Sequence, residues 1–301
     1  NNHRIEFNHF GPRPPLGRNG AETIRVGYSW QSMLNSRTLV ENNLFDRCDG
    51  EIEIISSKSC ENIYRGNTFR ACAGTLTLRH GNRCRVESNF FLGEGKEESG
   101  GVRVIGDDHV MVNNYFSDIE RPAFWLTAGV PGSQLNQYFP ARGCLIAFNT
   151  VVSSRGPCIE LDSGFGGSNR TLRPRDITIR NNLFAPAPGG ELLVGTEGEG
   201  FRWKSNFVAA PFGSAPHRGM AFGDPKLAQA PDGLWRPAGG SPVIAAATSE
   251  LAGMEIAHDM DGQPRPREAR RKPRHPALSA AFAKAALDAA AGFRTRMRTG
   301  R

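Results

Sequence analysis

The sequence predicts an all-β fold, a right-handed parallel β-helix, and three observations carry that prediction. First, Asn followed two residues later by a large apolar residue recurs along the chain. The instances begin at Asn8, Asn43, Asn67, Asn89, Asn114, Asn149, Asn182 and Asn206, paired with Phe10, Phe45, Phe69, Phe91, Phe116, Val151, Phe184 and Val208. Second, the steps between these Asn residues are 35, 24, 22, 25, 35, 33 and 24. A base step near 24 with occasional inserts fits one solenoid coil carrying a loop on some turns. Third, short β-rich runs at 51–55, 75–78, 102–105 and 176–179 are too brief for helices and are bounded by Gly, Asn and Ser.

Each recurring element has a physical reason to sit where it does. Asn tolerates left-handed geometry, and its amide can bond the same atoms in the coils above and below, so an Asn ladder suits the coil corner. The Phe two positions later is expected inside, stacked as an aromatic ladder. Cys48, Cys60, Cys72 and Cys84 are spaced by twelve, which with a coil near 24 puts Cys48 over Cys72 and Cys60 over Cys84. Neighbours about 4.8 Å apart suit either disulfides or a column of small buried thiols, and the thiol column is the simpler reading. Zinc is disfavoured, because no CxxC is present.

Residues 1–245 read as one solenoid domain. The chain starts without Met, inside what reads as a coil (Ile5-Glu6-Phe7-Asn8-His9-Phe10), so N-terminal coils are expected to be missing. From about Ala245 the composition shifts to Ala, Arg, Pro and Lys, and 246–301 is expected to be a solvated basic tail with a short helix at 279–291. The net charge of +7 and pI near 9.3 favour an acidic partner, although part of the excess lies in the tail. No apolar run is long enough for a membrane-spanning helix. Neither nucleic acid nor membrane is expected as a partner, and the oligomeric state stays open.

The most informative stretch is Glu51-Ile52-Glu53-Ile54-Ile55-Ser56-Ser57-Lys58. Carboxylates at i and i+2 share one face of a strand and repel unless a cation lies between them. Ca²⁺ takes such oxygen ligands, and Asn19 in the preceding coil is the best further oxygen donor. Lys58, Arg79 and Arg103 lie nine to eleven residues before Asn67, Asn89 and Asn114, and are expected to form a column of three positive charges on consecutive rungs. The plainer alternative is a solvated face on which Lys58 and Arg79 neutralise Glu51 and Glu53.

The strings Arg18-Asn19-Gly20-Ala21-Glu22-Thr23-Ile24-Arg25-Val26-Gly27, Val40-Glu41-Asn42-Asn43-Leu44-Phe45, the segment from Gly50 to Ser59 and Leu76-Thr77-Leu78-Arg79-His80-Gly81-Asn82 resemble polysaccharide lyase family 6. That family comprises alginate lyases and chondroitinase B, a dermatan sulfate lyase. The similarity continues through Ser99-Gly100-Gly101-Val102-Arg103 and Asn113-Asn114-Tyr115-Phe116, and more loosely to Asp261-Gly262-Gln263-Pro264-Arg265.

The resemblance implies a calcium-dependent lyase that cleaves a uronate-containing polysaccharide by β-elimination. It implies Asn19, Glu51 and Glu53 as calcium ligands, Lys58 as Brønsted base, Arg79 as second catalytic residue, and Arg103 and His80 as substrate-binding residues. It also implies a periplasmic or secreted location. Lys58 must be neutral to take the C5 proton, and Arg79 suits charge stabilisation better than proton donation, because a guanidinium holds its protons tightly. Alginate, an unsulfated polyuronate, asks least of such a site. Dermatan sulfate needs further cations, for which Arg121, Arg142, Arg155 and Arg173 are available. A non-catalytic module binding acidic glycans is the alternative from another class.

Overall fold

A computed structural model describes residues 1–209, 219–244, 246–248, 256 and 258–265. The chain winds into a parallel β-helix of three sheets, each coil giving one short strand to each. The first sheet has eight strands, from Arg4–Glu6 to Arg202–Lys204. The second has nine, from His9–Phe10 to Met220–Gly223. The third has seven, from Ile24–Gly27 to Leu193–Val194. Among the described residues the only helical turn is the short 3₁₀ segment Ser29–Gln31.

The Asn ladder holds the corner between the first and second sheets. Each side-chain amide donates to the Oδ1 of the next Asn at 2.9–3.0 Å, unbroken from Asn8 to Asn206. The second amide hydrogen goes to a main-chain carbonyl, as from Asn67 to Val40 at 2.8 Å, and the Asn67 N–H donates to Asn89 Oδ1 at 3.0 Å. Each interior amide is thereby saturated, which is what burial demands of it. The left-handed residue is not the ladder Asn, as the sequence suggested, but the residue before it. Phe7, Asn42, Gly66, Ser88, Asn113, Phe148, Asn181 and Ser205 all have φ between 54° and 64°. The ladder Asn is chosen for its amide and not for its tolerance of positive φ.

Two residues after each ladder Asn, the aromatic column forms as expected. Phe10, Phe45, Phe69, Phe91 and Phe116 stack with ring centroids 4.7–4.8 Å apart, the spacing of adjacent strands. Val151, Phe184 and Val208 continue the buried column. All six cysteines are free and buried. Cys48 lies against Cys72, its N–H 3.3 Å from the Cys72 sulfur. Cys60 does not lie over Cys84, because the coil between Asn67 and Asn89 is two residues shorter. Cys60 instead accepts from Asn82 N, and the Cys84 N–H donates to His109 Nδ1 at 3.1 Å.

The boundary expected near Ala245 falls among residues outside those described, as does the expected helix at 279–291. Short pieces beyond it pack on the solenoid. Thr248 bonds to Asn181, and Arg265 and the His258 carbonyl bond to the Asn113 side chain.

Candidate active site

The third sheet carries the site because its inner positions there are apolar apart from Ser57, so the other polar residues in the alternation face out. Ile55, Leu76, Leu78, Val102 and Val104 point into the core, while Glu53, Ser56, Thr75, Thr77, Arg79 and Arg103 line the outer face. The strand begins at Glu53, so Glu51 lies in the bend just before it. A register shift between Glu53 and Ile55 lets Ile54 and Ile55 both enter the core while the two carboxylates stay together outside.

A third carboxylate joins them. Ligand oxygens of Glu22, Glu51 and Glu53 all lie within 4.8 Å of one another. Glu51 Oε1 is buried and has no hydrogen-bond partner. Burial, with Glu22 and Glu53 beside it, pushes the Glu51 carboxyl above its ordinary pKa. Three oxygen donors crowded together with one orphaned atom fit a hard cation such as Ca²⁺. Asn19 sits on the exposed turn of the same loop as Glu22, one residue before Gly20, whose backbone amide faces Glu51. Glu22 was missed in the sequence, although it stands three residues from Asn19 in a string already singled out.

The cations surround this cluster. Lys58 Nζ is 3.6 Å from Glu22 Oε1, and Arg79 Nε is 3.7 Å from Glu53 Oε1. Ser56 Oγ also donates to Glu53. The expected column of Lys58, Arg79 and Arg103 does not form. Lys58 pairs with His80, because a bulge between Ser57 and Lys58 displaces Arg79, while Arg103 pairs with Thr77. The charges are staggered across three rungs instead of stacked, which spares them the closest repulsion.

His80 is buried, and burial, followed by the neighbouring Arg79, pushes its pKa down to about 4. It is therefore neutral at physiological pH. Its Nε2 lies 3.1 Å from the Gln137 carbonyl, which also accepts from Arg79 at 3.1 Å, and its Nδ1 has no partner. Arg103 Nε is likewise buried and unpartnered.

Gln137 and Tyr138 belong to the insert between Phe116 and Asn149, which folds back over the site. The guanidinium carbons of Arg79, Arg170 and Arg103 lie 4.2, 4.0 and 5.6 Å from the centre of the Tyr138 ring. Neither Tyr138 nor Arg170 was singled out in the sequence, since a loop carries no period to fix its place. Arg121, Arg142, Arg155 and Arg173 are each engaged by an acidic neighbour: Glu98, Asp107, Glu120 and Asp162 respectively.

The site is thus a cluster of three carboxylates, a lysine and several arginines on the outer face of a parallel β-helix. Comparison with known proteins places the chain in a family. The family model for Chondroitinase B matches residues 1–239. Among solved structures, the family 6 alginate lyase AlyGC is 34% identical with a TM-score of 0.76, over 91% of this chain and 37% of that one. A mannuronic acid specific family 6 lyase from the human gut microbiota is 36% identical with a TM-score of 0.68, over 74% of this chain and 53% of that one. The lyase Pedsa3628 from Pseudopedobacter saltans is 26% identical with a TM-score of 0.62, over 71% and 58%. No curated protein matches the chain. The chain belongs to the chondroitinase B family, polysaccharide lyase family 6. It spans 37% of the length of AlyGC and 53% of the gut lyase.

Proposed function

We propose that the protein is a calcium-dependent lyase that cleaves a polyuronate, alginate being the simplest fit, by β-elimination. The observation that carries this reading is the trio Glu22, Glu51 and Glu53 with its orphaned oxygen, flanked by Lys58 and Arg79. Binding alone would need cations and sugar-stacking rings. It would not need a buried carboxylate cluster, which opposes an anionic ligand unless a metal intervenes.

Glu22, Glu51 and Glu53, with Asn19 from the adjoining turn, would hold the calcium ion. When bound there, the ion neutralises the uronate carboxylate and makes the C5 proton more acidic. Lys58, tied to Glu22, takes that proton in its neutral form. Arg79, held by Glu53 on one side and the Gln137 carbonyl on the other, is fixed where negative charge develops. Arg103 and neutral His80 bind the sugar chain, and the unpaired Arg103 Nε is free to do so. The arginines that dermatan sulfate would require are already held by carboxylates, which favours the unsulfated polymer. A polymer too large to cross a membrane fits a periplasmic or secreted enzyme, which is part of the same proposal.

The test is the ultraviolet absorbance of the unsaturated uronate formed when alginate is added to the intact protein with Ca²⁺. The absorbance is expected to rise and to stop rising on chelation. No rise with alginate or dermatan sulfate would remove the enzymatic reading.

A further inference from the structure

The insert that folds over the site is tied to a second one. The first leaves the third sheet after Phe124–Thr127, and the second leaves one coil later, after Ile159–Ser163. Gly129 and Leu172 exchange main-chain bonds at 2.8 and 3.0 Å, which joins the two inserts. The first carries Tyr138 and the second carries Arg170, whose guanidinium carbon lies 4.0 Å from the centre of the Tyr138 ring. Arg79 and Arg103 approach the same ring from the sheet, at 4.2 and 5.6 Å.

Three guanidiniums round one ring repel one another, and the electron-rich ring face offsets part of that repulsion. Carboxylates offset little of it. Arg79 meets Glu53 at 3.7 Å, whereas among the described residues Arg103 and Arg170 have no carboxylate partner. Asp162, at the root of the second insert, is already held by Arg173 at 3.1 Å. The Nε atoms of Arg103 and Arg170 are both buried with nothing to donate to. A buried donor left in this state costs stability. An incoming carboxylate satisfies it, because a carboxylate accepts from a guanidinium through two parallel bonds.

We propose that Arg170 and Arg103, gathered on the Tyr138 ring, form a second carboxylate site, which holds the uronate next to the one that reacts. The proposal rests on the lyase reading of the site, in which the metal at Glu22, Glu51 and Glu53 takes the reacting carboxylate. Arg170 stands apart from that cluster. Glu53 meets Arg79, Arg79 packs on the Tyr138 ring, and Arg170 packs on the same ring. The link runs through a guanidinium and an aromatic ring, so the anion for Arg170 comes from a different sugar than the one on the metal. A polyuronate carries that anion on every sugar. A neutral sugar in the same place would leave both Nε atoms unsatisfied.

Both inserts are shaped to present these groups. Arg170 closes the turn that starts at Gly164: the Gly166 N–H donates to its carbonyl and its own N–H donates to the Gly167 carbonyl, each at 2.9 Å. Gly164 has a φ of 77°, and a Cβ there would lie 2.3 Å from Arg170 Nη1, so glycine leaves the room that the guanidinium occupies. Tyr138 is fixed through its carbonyl, which accepts from Val130 at 2.8 Å. The preceding carbonyl is gripped by Arg79 and His80.

The test uses a tetramer cut from alginate as the ligand, with Ca²⁺ present. Binding is measured by calorimetry in Lys58→Ala, which cannot turn the tetramer over, and KM and kcat on alginate are measured with Lys58 in place. Arg170→Ala is expected to weaken tetramer binding and raise KM about 10-fold, while kcat falls less than about threefold. Arg170→Lys should recover part of the binding, because it keeps the charge and loses the fork. Tyr138→Phe keeps the ring and should raise KM less than about threefold, whereas Tyr138→Ala should match or exceed Arg170→Ala. Equal binding and equal KM in Arg170→Ala would overturn the proposal, and the lyase reading would stand. A fall in kcat with KM unchanged would overturn it as well, since that would place Arg170 in the chemistry. An Arg170-dependent tetramer site in a protein that forms no unsaturated product would overturn the lyase reading alone.

Discussion

The corner between the first and second sheets and the outer face of the third sheet are built on opposite terms. At the corner every ladder amide from Asn43 to Asn182 donates twice and accepts twice, at 2.8–3.1 Å. On the outer face and the loops over it, Glu51 Oε1, His80 Nδ1, Arg103 Nε and Arg170 Nε are buried with no partner at all. Unsatisfied buried polar atoms cost stability. Others lie elsewhere among the described residues, such as Tyr64 Oη and Ser32 Oγ, but these four meet at one site, where a metal and an acidic sugar chain would complete them.

Substitutions can separate the two. The largest expected effect is Lys58→Ala, which should lower turnover by at least about 1000-fold, equivalent to ~4 kcal/mol in the barrier. Its melting temperature should stay near that of wild type, measured by calorimetry alongside product formation. Arg79→Ala should be nearly as damaging to turnover. Arg79→Lys should recover little, because Lys keeps the charge and loses the fork that grips Glu53 and the Gln137 carbonyl together.

At the corner the pattern should invert. Phe91→Ala opens a gap in the aromatic column and should cost about 3–5 kcal/mol in denaturant unfolding. Asn89→Ala removes the acceptor of the Asn67 amide and N–H and the side-chain donor to the Tyr64 carbonyl, leaving Asn114 Oδ1 only the residue-89 N–H, and should cost about 3 kcal/mol. Turnover per folded molecule should be preserved in both.

Acid should weaken the middle of the first sheet, where His109 leads into the strand Val110–Val112, before it reaches the carboxylates. His109 is fully buried, accepting from Cys84 N and donating to the Ile105 carbonyl, each at 3.1 Å. Burial pushes its pKa from 6.5 down to about 4. The folded form refuses a proton that the unfolded chain accepts, so this contribution is complete above pH 6.5 and is lost as pH falls toward 4. It amounts to about 3 kcal/mol at most, read as a falling unfolding midpoint across that window.

The smallest change in stability carries the most contrast. Glu51→Gln removes one of three mutually repelling carboxylates and should stabilise the metal-free protein by about 1 kcal/mol. The same change should abolish turnover. A substitution that stabilises the fold and destroys the reaction would mark Glu51 as a group kept for binding.

Much of the fold was legible because it depends on identical residues recurring at one spacing. The ladder pairs each Asn amide with the next, so eight Asn positions announced both the corner and the coil length. The site was legible in part. Glu51, Glu53, Lys58, Arg79, His80 and Arg103 do share one face. Their register was not, because counting back from the ladder Asn assumes a constant path. Lys58 and His80 both lie nine residues before their Asn and do pair, whereas Arg79 lies ten before and sits in the bulge. Glu22 and Tyr138 escaped because neither belongs to the repeat. One lies on the turn leading into the first strand of the site sheet, the other on an insert whose return over the site is a matter of tertiary contacts. The left-handed corner residue escaped as well, since Phe7, Ser88 and Phe148 are not residues that advertise positive φ.

The central claim is that the outer face is left unsatisfied so that a metal can complete it. The most direct measurement is calorimetric titration of the intact protein with Ca²⁺, with the unfolding temperature followed in parallel. A single site is predicted, with a rise in unfolding temperature that follows its occupancy, and both should be absent in Glu51→Gln. No binding heat in wild type, or equal binding in wild type and Glu51→Gln, would contradict it.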